Sequence, residues 1–431
     1  MNPVEHKPIL GFMTRNYLVL TLTSTLWGIP TSICNTYFSL YVFGLGGTEI
    51  TIGIVLALGS VAFAIFSIIG GHIADLYGRK RIVSLMTVTL GLSQFLVAFA
   101  PNWQFLATAI IITNICWIFE PAFWAILADS IKEEKRGTAF AFFSCLSFLP
   151  WVIMPSIGGY FIDVYGVLVS LRIAYIFLAI VGIITGLIRQ FMLDETVSSR
   201  DRKAWKHTSF VRMISLVKDA FRGHIQTWRW MPKAALALTV SYILWAFEYG
   251  LVEPYWIVYA QEIIGITSAQ WGIIVGFGST ISISSKILLV GKLLDRIGRR
   301  KVLLATTALD VFTYLFFISC GMFIQVLALW TAASLLWSFY EPTYSSLEAD
   351  LVPEERRGRV FAAFGVAWST FSIPATLLGG FIYEKVNPQL SFVIASIVIL
   401  LCFLLTAFFI KPSNDNGKQT SKPRKLRQSE A

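Results

Sequence analysis

Apolar and polar positions separate along this chain into long blocks. Twelve apolar runs cover residues 17–43, 50–74, 82–101, 104–130, 138–162, 167–193, 234–260, 267–294, 302–321, 324–350, 359–383 and 388–410. Each is close to or above the ~20 residues that cross a bilayer core as a helix. The polar stretches between them are short, with one exception: residues 194–232 are polar and basic and divide the runs six and six. Within that stretch Phe210, Met213, Ile214, Val217 and Phe221 recur at helical spacing, which predicts an amphipathic surface helix. The pattern predicts an all-α membrane protein of twelve transmembrane helices. Its parts are a six-helix bundle over 1–193, a linker over 194–232, a second six-helix bundle over 233–411 and a polar tail over 412–431.

Charge adds a direction. Lys and Arg gather in the two tails, in the central stretch and in the turns after runs 2, 4, 8 and 10; the opposite turns hold only Lys385. Positive-inside topology therefore predicts a plasma-membrane protein with both termini in the cytoplasm. The net charge of +10 comes from these short blocks, so it points to loop topology and not to nucleic acid. Composition agrees: 56% of residues are hydrophobic and 14% charged, against roughly 25% charged in a soluble domain. The first run is too long for the apolar core of a cleavable leader. All five cysteines fall inside apolar runs, and the four histidines are scattered. No disulfide framework, metal site, nucleotide motif or catalytic triad is legible. The expectation is a protein that is not an enzyme, carries no cofactor and draws energy from ion gradients.

The two halves repeat. Gly71-His72-Ile73-Ala74-Asp75-Leu76-Tyr77-Gly78-Arg79-Lys80-Arg81 returns as Gly291-Lys292-Leu293-Leu294-Asp295-Arg296-Ile297-Gly298-Arg299-Arg300-Lys301, both reading G-x-x-x-D-x-x-G-R-[KR]-[KR]. At an offset of 221, Glu120-Pro121 matches Glu341-Pro342, Asp129 matches Asp350, and Gly158-Gly159 matches Gly379-Gly380. At 218, Leu26-Trp27 and Tyr37 match Leu244-Trp245 and Tyr255. An ordered series with small drift is the signature of a duplicated six-helix unit.

With these turns the chain resembles the major facilitator superfamily over nearly its whole length. Gly71, Asp75, Gly78, Arg79 and Lys80 look like that family's loop 2–3 signature, and the second copy looks like its loop 8–9 counterpart. The resemblance implies two bundles around a central cavity lined by helices 1, 4, 7 and 10, with alternating access by rocking of the halves. It further implies that Asp75 and Arg79, with Asp129 as partner, lock the outward-facing state, and that Asp295, Arg299 and Asp350 mirror them. Pro155-Ser156-Ile157-Gly158-Gly159 resembles the end of the signature of drug–proton exchangers, although Met154 stands where that signature has glycine.

Ionisable residues at membrane depth are costly and mark function by default. Glu120 and Glu341 each lie about 15 Å from a cytoplasmic helix end at the helical rise, near the midplane. Each precedes a proline, so a bend and a free carbonyl are expected beside each acid. Asn114, Trp117, Glu120 and Trp124 share helical spacing in run 4, as do Trp337 and Glu341 in run 10. An acid on an aromatic face suits a cation. Glu253 and Glu248 in run 7 rank second; Asn35 in run 1 aligns with Glu253. Lys286 and Asp310 stand at equal depth on one helical hairpin, which predicts a structural ion pair. Arg172 lies near an outer helix end, where it can snorkel. Together these residues favour a monomeric secondary transporter, lipid-embedded, exporting organic cations or amphipathic drugs against protons. The alternatives are proton-coupled uptake of a sugar or organic acid, and a non-transporting receptor on the same fold. The intact charged turns argue against the receptor.

Overall fold

The computed structural model describes residues 14–196, 231, 233–351 and 357–410. The side chains of Asp75 and Asp350 are outside that description, as are the expected amphipathic helix from Phe210 to Phe221 and the tail. The described chain forms twelve consecutive helical segments. They are α1 (Arg15–Thr36, continued as Phe38–Gly44), α2 (Glu49–Tyr77), α3 (Arg79–Ala98), α4 (Trp103–Asp129), α5 (Arg136–Tyr165), α6 (Val167–Met192), α7 (Lys233–Glu262), α8 (Ser268–Ile297), α9 (Arg299–Phe317), α10 (Phe323–Leu351), α11 (Arg357–Lys385) and α12 (Pro388–Phe409). Among the described residues ten segments are long and apolar enough to cross a membrane. The other two, α9 and α11, occupy the places of the ninth and eleventh runs. Large apolar side chains such as Phe191 and Phe408 stay three-quarters exposed, as lipid-facing positions require.

Local chemistry sets the ends. Thr14 and Asn102 accept the first free amides of α1 and α4, and Thr267 with Gln270 forms a capping box on α8. The repeated turn has the same backbone twice: Gly78 has φ of 97° and Gly298 of 92°. Side chains rarely adopt that region, so glycine is needed to turn α2 into α3 and α8 into α9 within one residue.

Packing repeats as the sequence does. α1 meets α5 and α6, α2 meets α4, and α3 meets α6; the second half repeats this with α7 on α11 and α12, α8 on α10, and α9 on α12. The two bundles join through α5 against α8 and α2 against α11. The described hydrogen bonds between bundles lie at the end opposite the charged turns. They include Tyr37 Oη to the Ser268 carbonyl (2.9 Å), Ser39 Oγ to the Pro254 carbonyl (2.6 Å) and the Ile50 amide to Glu384 Oε2 (3.0 Å). The glycine pairs serve close packing there: a Cβ at Gly159 would overlap the Ser268 carbonyl, and one at Gly380 would sit 2.6 Å from the Glu49 carbonyl.

Candidate functional site

Two helix breaks build the site. α1 breaks at Tyr37 (φ −112°, ψ 14°), and α7 breaks into a 3-10 turn over Glu253–Tyr255. Pro254 cannot donate an amide and pushes Glu253 out of helical geometry, which accounts for the second break. The two residues after Glu253 are held, one from each bundle: Ser39 Oγ donates to the Pro254 carbonyl and Tyr255 Oη donates to the Thr376 carbonyl (3.0 Å). Glu253 is thereby fixed with its carboxylate open to the space between the bundles.

That space is a cavity of about 580 Å³. Tryptophans dominate its wall: Trp27, Trp117 and Trp151 from the first bundle, and Trp256, Trp271, Trp330 and Trp368 from the second. Trp330 packs edge-on against Trp256 (5.3 Å between ring centroids) and Trp271 (5.0 Å), so the second bundle presents an interlocked aromatic surface. Asn35, Asn114 and Gln94 supply amides. Among the described lining residues Glu253 carries the one charge.

The expected site residues divide. Asn35, Asn114, Trp117 and Glu253 line the cavity. Trp337 stands behind the wall, with its Nε1 donating to Asp310 Oδ1 at 3.1 Å. Glu248 is buried inside the second bundle, beside Tyr314 and near Asp310. Glu120 is half-buried and accepts from Trp124 Nε1 at 3.4 Å; Glu341 is exposed and lies 3.7 Å from Lys286 Nζ. Neither acid belongs to the wall of this cavity, and each takes a partner within its own bundle. The expected bends also differ. α4 passes through a 3-10 turn at Trp117–Phe119, just before Glu120-Pro121, whereas α10 runs through Pro342 unbroken.

The Lys286–Asp310 ion pair is not formed. Asp310 is fully buried and accepts from Trp337 and from Tyr340 Oη (2.8 Å), while Lys286 reaches Glu341. Position along a hairpin does not set direction around a helix. Lys286 also begins a π-helical stretch, Lys286–Val290, whose extra residue per turn rotates side chains away from α-helical register. Arg172 donates to the Ala100 carbonyl at 3.1 Å.

At the charged turns, Arg79 Nη1 meets Asp129 Oδ2 at 2.7 Å, and Glu195 Oε1 accepts the Arg79 amide. In the second copy Arg299 Nη1 donates to the Ser346 carbonyl at 3.3 Å, and Asp295 is exposed. Gly71 lies within α2 and Gly291 within α8, at the places the repeat assigns. Sequence reading missed Trp151, Trp271, Trp330 and Trp368. An aromatic residue in a membrane helix reads alike whether it faces lipid, core or cavity.

The sequence model of the Major Facilitator Superfamily matches residues 18–309 and 238–430. The chain belongs to the Major Facilitator Superfamily. Multidrug resistance protein 2 of Bacillus subtilis (strain 168) is 23% identical over 369 residues, covering 85% of this chain and 88% of that protein. Multidrug resistance protein MdtG of Escherichia coli O81 (strain ED1a) is 27% identical over 320 residues, 72% of this chain and 73% of that one. Among solved structures, the nucleoside transporter NupG superposes with a TM-score of 0.71 at 14% identity, over 92% of this chain and all of that one. A POT peptide transporter with bound sulfate gives 0.70 at 16% identity, over 93% and 95%. At those identities the structures share the fold alone. As a Major Facilitator Superfamily member the protein is a multi-pass membrane transporter of small molecules, built as two six-helix bundles.

Proposed function

We propose that this transporter exports organic cations or amphipathic cationic drugs in exchange for protons, by alternating access to the cavity. Glu253 carries the reading: it is the one charged group among the described residues of a wall made largely of indole rings. A carboxylate and aromatic faces together favour a desolvated cation over an anion or a sugar. A proton and a cation compete for the same carboxylate. That competition couples opposite flows when the two access states differ in affinity. Glu120 and Glu341, which the sequence ranks first, pass to the second role because they lie outside the cavity wall: taking up and delivering protons from each bundle. The names of the two bacterial relatives, both multidrug resistance proteins, support the substrate class.

The charged turns and both termini face the cytoplasm in this reading, in the plasma membrane, as the distribution of Lys and Arg favours. The closed end is then the outer face, and the structure is inward-facing. Asp75, Arg79 and Asp129, with Asp295, Arg299 and Asp350, form the cytoplasmic gate that closes in the opposite state. The monomer is the working unit. Uptake of an organic acid would call for a cationic side chain in the wall, and the described lining residues include none.

The test is a flux assay in proteoliposomes holding a pH-sensitive dye, with a proton gradient imposed and organic cations, sugars and organic acids added in turn. Cation-triggered proton movement that disappears in Glu253→Gln is the expected result. Proton movement triggered by sugars or acids, in the direction of the solute, would overturn the export reading.

A further inference from the structure

The outer seal contains one constellation twice. Tyr37 and Tyr255, both fully buried, stand at the breaks of α1 and α7. Each hydroxyl has two carbonyl acceptors, one in its own bundle and one in the other. Tyr37 Oη reaches the Pro155 carbonyl of α5 (2.7 Å) and the Ser268 carbonyl of α8 (2.9 Å). Tyr255 Oη reaches the Thr376 carbonyl of α11 (3.0 Å) and the Glu49 carbonyl of α2 (3.3 Å). The acceptors across the interface are the first residues of α8 and α2, so each tyrosine touches the start of a helix in the opposite bundle.

A carboxylate doubles each contact. Asp163 on α5 accepts the Ser268 and Ala269 amides, both at 2.9 Å, and Glu384 on α11 accepts the Ile50 amide at 3.0 Å. These are free amides at helix N-termini, where negative charge is favoured. Asp163 and Glu384 keep the same 221 offset as Gly159 and Gly380, the glycines that let the helices approach beneath the two hydroxyls.

We propose that Tyr37 with Asp163, and Tyr255 with Glu384, are two pseudo-twofold clasps that hold the outer gate shut, and that their release is a step of the transport cycle. This rests on the alternating-access reading above and is independent of the substrate. The chemistry suits a contact that must break repeatedly. One hydroxyl proton is shared between two carbonyls, so when the bundles part it turns wholly to the acceptor in its own bundle. No buried hydroxyl is orphaned, and the large cost of an unmade hydrogen bond is avoided. The carboxylates part into outer water, which solvates them. Because the acceptors and amides are main-chain groups, the clasps hold helix ends and not particular side chains.

The test measures the outer opening directly. Spin labels on Tyr165→Cys and Ile263→Cys, in full-length protein with the five native cysteines replaced by serine, report the distance across the outer ends of α5 and α7 by pulsed EPR in sealed proteoliposomes. The parent should show a dominant short distance and a longer one that grows under an inward proton gradient. Tyr37→Phe and Tyr255→Phe should each raise the long-distance fraction about 5-fold, from the ~1 kcal/mol of one hydrogen bond, and the pair should act about additively. If the tyrosine variants do not fold, Asp163→Asn and Glu384→Gln make the same test at the water-facing rim, with the same direction of shift. Variants that match a parent which itself responds to the gradient would sink the clasps and leave alternating access standing. Distances that stay fixed in parent and variants alike would overturn both.

Discussion

The two bundles descend from one pattern, yet they keep it in some places and abandon it in others. Where the bundles meet, the pattern is kept to the atom type: tyrosine against carbonyl, glycine beneath it, carboxylate on amide. In the cavity it is broken. Asn35 and Glu253 occupy corresponding positions on α1 and α7, but only the second is charged. The interiors diverge further. The first bundle buries a guanidinium, Arg189, held by Thr23 and Thr87 and lying 5.1 Å over the Phe123 ring. The second buries the carboxylates of Glu248 and Asp310 among tyrosines. Residues that join equivalent surfaces are constrained by symmetry, since both copies face the same task. Residues facing an asymmetric solute, or lying inside one bundle, carry no such constraint.

The contrast between Asn35 and Glu253 can be broken most visibly. Glu253→Gln should lower organic-cation transport by ~10–100-fold, the range that follows from removing an interaction with a charged group. Adding Asn35→Glu to Glu253→Asn moves the carboxylate to the mirrored wall, and solute flux should recover to within about 10-fold of the parent. A swap as inactive as the single variant would show that the surroundings of Glu253, and not the charge alone, make the site.

The buried interiors give the next effect. Asp310→Ala leaves the Tyr340 hydroxyl and Trp337 indole without their acceptor and should cost about 1–3 kcal/mol of stability. Thr89 in α3 is half-buried and its hydroxyl bonds the Leu85 carbonyl of its own helix, so Thr89→Ala should change stability by about 0.5 kcal/mol or less. Thermal unfolding in detergent compares the two, and equal losses would contradict the asymmetry. At the turns the comparison predicts equality: Gly78→Ala and Gly298→Ala should each cost about 1–2 kcal/mol, because both force a side chain into left-handed backbone. Arg79→Gln should cost less than the glycine variants, under about 1 kcal/mol in the same melts, since its pair with Asp129 is partly open to water. A larger loss would place more of the turn's stability in that ion pair than its exposure allows.

Much of this was readable from residues. The ends of the apolar runs fall within a few positions of the helices because Gly, Pro and charged turns punctuate them, and Gly78 and Gly298 stand where the chain must turn. The repeat exposed Asn35 and Glu253 as a pair. What stayed hidden depends on direction around a helix axis. Glu120 and Glu341 take partners within their own bundles and not the cavity wall, and Lys286 found Glu341 in place of Asp310 because a π-helical stretch shifts its register. The carboxylates at 163 and 384 were visible in the repeat, but their partners are main-chain amides, which no residue letter reveals.

Half of the protein's fourteen tryptophans face one cavity. Its intrinsic ultraviolet emission is therefore weighted toward the place where solute would sit. An aromatic cation entering that space would quench or shift the signal by contact, with no dye attached and no residue changed. Occupancy should thus be observable in the unmodified protein, and titrations of light would separate solutes that enter the cavity from those that merely dissolve in the surrounding lipid.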